Sequence, residues 1–135
     1  MASSHEALIE ALKRTAASLP DVDVLALFGS RATASARTES DVDLAIALRD
    51  RGTEARRLVE VAFARATLHR VDVVFLDKAP PQLRFEIARS GVLLFERAPG
   101  AWARERARAM LDWWDWAPMA RRLHARAAAR LRAEA

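Results

Sequence analysis

A chain of 135 residues fits one domain with a modest core. It has no cysteine, which excludes a disulfide framework and a thiolate metal site. The formal net charge of +4 admits an anionic partner. No basic motif interleaved with aromatics is present, so nucleic acid is not expected as the main partner. The first residues, MASSHEALIEALK, lack the long apolar core of a signal peptide. No apolar run approaches the roughly 20 residues that span a bilayer. A cytoplasmic protein without a membrane partner is expected.

Ser3 and Glu6 can form a capping box at the start of a helix over residues 4–18. Leu8, Ile9, Leu12, Ala16 and Leu19 follow at helical spacing. Pro20-Asp21 ends that helix, and Val22 to Phe28 reads as the first strand. Gly29-Ser30 is a turn, with a short helix expected from Arg31 to Ala36. The second strand runs from Val42 to Leu48, directly after Asp41. Arg49-Asp50-Arg51-Gly52 is a turn. Thr53 is expected to cap a helix that carries Leu58, Val59, Ala62, Phe63 and Ala66 on one face. His69 follows its end, where an imidazole serves most simply as a partner of the helix dipole. Arg70 to Leu76 is the third strand, with Val71, Val73 and Phe75 on one side and Asp72, Val74 and Leu76 on the other. Asp77 reads as a turn residue. Pro80-Pro81 opens a helix through Arg89, which Ser90-Gly91 stops. Val92 to Glu96 is the last strand. Strands alternating with helices predict an α/β (α+β) layer with a mixed sheet.

Ala98-Pro99-Gly100 divides residues 1–97 from a tail of residues 98–135. Trp102 to Trp116 and Met119 to Arg132 read as two helices with Pro118 between them. All four tryptophans lie here, and from Arg97 onward nine arginines face four acids, a local charge of +5. Aromatics and arginine are enriched in interface hot spots. The tail either packs back on the domain or docks another protein. A homo-oligomer or hetero-oligomer is open.

The chemistry concentrates between Val24 and Leu48. Ten residues, Arg31 to Ser40, separate Gly29-Ser30 from Asp41-Val42-Asp43. Side chains alternate along a strand, so Asp41 and Asp43 share a face. Adjacent carboxylates near an interior are costly to keep ionised, and a hard cation such as Mg²⁺ or Mn²⁺ offsets that cost. Gly29 permits close approach of backbone to a ligand, and a turn opening a helix offers N–H groups to an anion. Arg31 either reaches a phosphate or is solvated. Ser40 either positions the loop or contacts the ligand. Asp72 needs a partner on its apolar strand: an arginine, a strand-end cap or a metal shared with Asp41 and Asp43. A phosphate-bearing substrate bridged to a cation is the natural expectation.

The pair Gly29-Ser30, ten residues and then Asp41-x-Asp43 resembles the signature of the minimal nucleotidyltransferases of the DNA polymerase β superfamily. Ala34 stands where that family often carries glycine. The resemblance implies the nucleotidyltransferase fold, a small mixed sheet with helices on one face and the site at a strand end. It implies catalytic, metal-binding roles for Asp41, Asp43 and Asp72 around two Mg²⁺ ions. It implies a nucleotide site that includes Gly29, Ser30, Arg31 and Ser40, with ATP as substrate. Small members with a segment like Lys78-Ala79-Pro80-Pro81-Gln82-Leu83-Arg84-Phe85-Glu86-Ile87-Ala88 are typically antitoxins. Their partner is a HEPN-domain RNase toxin, onto a tyrosine of which they transfer AMP. The alternatives are an antitoxin that acts by coverage alone and a small-molecule adenylyltransferase, for whose usual extra substrate domain the chain leaves little room.

Overall fold

The computed structural model describes residues 4–32 and 41–134. In chain order they form α1 (Ser4–Ser18), β1 (Val22–Phe28), a 3-10 turn (Gly29–Ala32), β2 (Val42–Leu48), α2 (Thr53–Ala66), β3 (Val71–Phe75), α3 (Pro81–Ser90), β4 (Val92–Glu96) and α4 (Ala101–Glu134). The sheet order is β3-β2-β1-β4. β1 runs antiparallel to β2 and β4, whereas β2 and β3 are parallel. The sheet is therefore mixed, as the alternation of elements predicts.

β1 and β2 are the central strands, and each is apolar on both faces. On one face Val22, Leu25, Leu27, Val42, Leu44, Ile46 and Leu48 pack with Leu8, Leu12 and Ala16 of α1 and Val59 and Phe63 of α2. Val22 and Leu25 share that face although they are three positions apart, which simple alternation forbids. The register shifts between Val22 and Val24, so a bulge resets the alternation there. On the other face lie Val24, Ala26, Ala45, Ala47 and Leu76, under Leu83 and Ile87 of α3 and Ala101 and Trp102 of α4.

Helices therefore cover both faces, not one as expected. The cause is in β2 itself: Ala45 and Ala47 between the large residues leave its second face apolar, and that face requires cover too. Ala45 and Ala47 share a buried cluster with Ile87 of α3 and Ala101 of α4.

Two end signals differ from expectation. Thr53 is not a cap; Gly52 is the N-cap, with extended backbone and no side-chain cap bond. Asp50 Oδ1 instead accepts the Gly52 N–H at 2.9 Å, a local side-chain turn that delivers the chain to α2. The tail is one helix of 34 residues that runs through Pro118. A proline removes one N–H and crowds the preceding turn, but the helix-favouring Ala, Arg, Leu and Met around it carry the helix across. Ser3 of the expected capping box and residues 33–36 of the expected short helix lie outside the described residues. Among those described, no helix is long and apolar enough to cross a membrane.

Candidate active site

The end of β1, the start of β2 and the start of β3 meet at one end of the sheet. Asp43 is the middle member: its register partner on β1 is Phe28, and its partner on β3 is Asp72. Asp43 lies on the α3/α4 side of the sheet, in alternation with Val42 and Leu44, which face α1 and α2. Asp72 lies on the same side, in alternation with Val71 and Val73. Asp41, exposed, precedes β2 by one residue. The parallel pairing of β2 with β3 thus brings together two aspartates that are 29 positions apart in the chain, from 43 to 72.

Gly29 follows Phe28 with φ +73, the left-handed region that favours glycine. A Cβ there would collide with Oδ2 of Asp43. The glycine is thus required twice, for its backbone and for the space that the carboxylate takes. Ser30 follows it on the exposed side of the turn.

The electrostatics match this placement. Partial burial of Asp43 pushes its carboxyl above the usual aspartate range, and the charges of Asp72 and Asp41 push it further. Asp72 is half-exposed, not enclosed among apolar neighbours, and its Oδ1 lies 3.6 Å from Nε of Arg70. Among the described residues no group of three or more His, Cys, Asp or Glu side chains is gathered closely enough to hold a metal ion. The donor set nevertheless suits a hard cation. It consists of oxygens only, it belongs to carboxylates that repel one another, and the carboxyl of the middle one is pushed above the ordinary aspartate range, by burial first and then by its neighbours.

Arg31 is buried, at 5% exposure, and not solvated. Its Nη2 donates to Nδ1 of His69 at 3.2 Å, which requires the neutral imidazole with its proton on Nε2. The backbone N–H of His69 donates to the Thr67 hydroxyl at 3.2 Å, just past α2. His69 is therefore more than a dipole partner: it ties the turn after β1 to the entry of β3, across the start of β2. Sequence reasoning missed this link, because nothing local in either segment signals a contact over 38 positions. Asp77 is likewise more than a turn residue. It accepts two hydrogen bonds from Arg56 of α2, at 3.0 and 2.5 Å, and this partner holds its carboxyl below the ordinary range. Ser40 and Ala34 lie outside the described residues.

A strand-end carboxylate pair behind a glycine-serine turn, on a small mixed sheet, defines the nucleotidyltransferase fold. The chain belongs to the polymerase beta nucleotidyltransferase family, which matches residues 10–99. No curated protein sequence matches it significantly. Solved structures are similar over nearly the whole chain. One is a toxin–antitoxin structure with AMP-PNP, at 22% identity, TM-score 0.62 and 96% coverage of both chains. Another is the toxin–antitoxin pair MntA–HepT, at 20% identity, TM-score 0.61 and coverage of 92% and 93%. A third contains a tri-AMPylated Shewanella oneidensis HEPN toxin in complex with an MNT antitoxin, at 19% identity, TM-score 0.62 and coverage of 94% and 95%. At this identity the likeness is one of fold.

Proposed function

We propose that the chain transfers AMP from ATP to a hydroxyl, and that the acceptor is a tyrosine of a HEPN-domain toxin for which the chain is the antitoxin. The observation that carries the reading is the position of Asp43. It stands opposite Asp72, with the Gly29-Ser30 turn closed against its own carboxylate. Asp41, Asp43 and Asp72 would hold two divalent cations, Mg²⁺ or Mn²⁺. When bound, the cations would neutralise triphosphate charge and lower the pKa of the acceptor hydroxyl. Gly29 and Ser30, with Arg31 and Ser40 nearby in sequence, would form the nucleotide side of the site.

In the transfer, the acceptor oxygen forms a bond to the α-phosphorus and the bond from that phosphorus to the β-phosphate oxygen breaks. Pyrophosphate leaves. The hydroxyl proton passes to an aspartate of the trio. No protein nucleophile takes part, so catalysis rests on positioning and charge. The proposed acceptor follows from similar chains: a structure of this fold contains an AMPylated HEPN toxin with its MNT antitoxin.

The test is an incubation of the protein with ATP, Mg²⁺ and a HEPN-domain protein encoded beside it, where its genome carries one, read by intact mass. Addition of one or more AMP units, absent with Asp41→Asn, is expected. An unchanged mass contradicts the reading. Coverage without transfer is the second reading, favoured by the long exposed stretch of α4. Neutralisation of the toxin that survives Asp41→Asn at equal protein level would establish it.

A further inference from the structure

α3 and α4 pack antiparallel. Phe85 stacks on Trp113 with ring centroids 4.9 Å apart, Arg84 pairs with Asp112 at 2.5 Å, and Arg106 donates to the Ala88 carbonyl at 2.9 Å. Positions 102, 106, 109, 113 and 116 of α4 follow one another at steps of four and three, so they form one stripe. Trp102, Ala109, Trp113 and Trp116 are its apolar members. The stripe does not stop where α3 stops. Ala120, Leu123, Ala127 and Leu131 continue it at the same spacing.

The lengths make the mismatch plain. α3 has 10 residues and α4 has 34, or about 15 Å against about 51 Å at 1.5 Å per residue. Past position 116, α4 outruns its partner: Leu123 is 55% exposed and Leu131 69%. A lone helical segment of this length is marginal in water without a packed face.

We infer that α4 beyond Trp116 is a docking edge for a helix of another protein, which extends the α3–α4 packing by taking the place that α3 vacates. Ala120 and Ala127 let a second helix come close, and Leu123 and Leu131 supply the buried anchors. The occupant carries acidic residues along its flank. Arg122, Arg126 and Arg130 form a row at i, i+4 and i+8 beside the stripe, and residues 117–134 hold five arginines against Glu134. The same charge argues against a second copy of this chain, since an α4–α4 pair sets arginine row against arginine row. With the HEPN-domain protein as occupant, the inference rests on the acceptor proposed above.

The test measures affinity of the full-length chain for the HEPN-domain protein, together with its affinity for Mg²⁺-ATP and its melting temperature. Leu123→Asp and the double variant Arg122→Glu/Arg126→Glu are compared with wild type. Both are expected to weaken the protein complex by about tenfold or more, the charge-reversed one with a flatter salt dependence. Nucleotide affinity and melting temperature should stay within twofold and 2 °C of wild type, as all three positions are exposed and none belongs to the proposed nucleotide site. Unchanged affinity for the HEPN-domain protein overturns the inference, as does a wild-type chain that does not bind it. A wild-type dimer lost in Leu123→Asp overturns it in favour of self-association. RNA binding lost while the protein complex persists overturns it as well. A complex that forms through α4 without any AMP transfer leaves the docking edge standing and defeats only the transfer reading.

Discussion

Asp43 carries opposite demands from stability and function. Its folded-state pKa is raised above 3.8, first by burial and then by Asp72 and Asp41. The sign follows directly: a carboxyl raised in this way favours folding when protonated and disfavours it once ionised, so at neutral pH it is a liability without a cation. Asp43→Asn is therefore expected to raise the melting temperature of the metal-free protein, by about 2–4 °C, while it lowers transfer at least about a hundredfold. Scanning calorimetry beside a transfer assay checks both. Gly29→Ala combines two penalties, a Cβ in the left-handed region and a collision with Asp43 Oδ2. A loss of about 1–3 kcal/mol in chemical denaturation and loss of transfer are expected. The nearness of Gly29-Ser30 to Asp43 was legible in the sequence because these residues lie within one strand–turn–strand unit. The Arg31–His69 hydrogen bond was not, because it depends on which strands become neighbours. Nor was the exposure of Asp72, since alternation gives a side chain's face but not how far the helices reach over it.

At the scale of elements, Arg56 and Asp77 join α2 to the end of β3 across the surface of the sheet. Arg56 lowers the pKa of Asp77 below 3.8, so this pair contributes stability above about pH 4 that is lost as pH falls through the lowered value. Asp77→Asn should be less stable than wild type at pH 7, by about 1–3 kcal/mol, and the gap should narrow towards pH 2. Urea titrations of both proteins at the two pH values test it. α4 offers a separate case. Pro118 sits inside a helix that lacks partners in its later turns, so Pro118→Ala should increase helicity by far-ultraviolet circular dichroism and leave the main melting transition unchanged. The strands and the first three helices were readable from periodicity to within a residue or two. The break at Pro118 was misread, because a proline is only a local penalty of about 3 kcal/mol that a favourable flanking sequence can absorb. The helices on the second face were not read because alanines in β2 look like weak core positions, whereas they share a buried cluster with Ile87 of α3 and Ala101 of α4.

At the scale of the whole molecule, the two ends of the sheet carry different groups. The aspartates occupy one end. The other end holds two adjoining clefts, of about 190 and 330 Å³, in which Arg49, Arg51, Arg84, Arg97, Arg104 and Arg108 stand among Asp23, Asp77, Glu105 and Asp112. α3 and the start of α4 cover the face between them, and Asp41 at the carboxylate end is exposed. The central claim is that this acidic end binds a nucleotide only in company with a divalent ion. Isothermal titration of ATP into the protein, with Mg²⁺ and with EDTA, and then into Asp43→Asn, tests it most directly. Binding with Mg²⁺ that vanishes in EDTA and in the variant is the expected result; equal binding under all three conditions would contradict it.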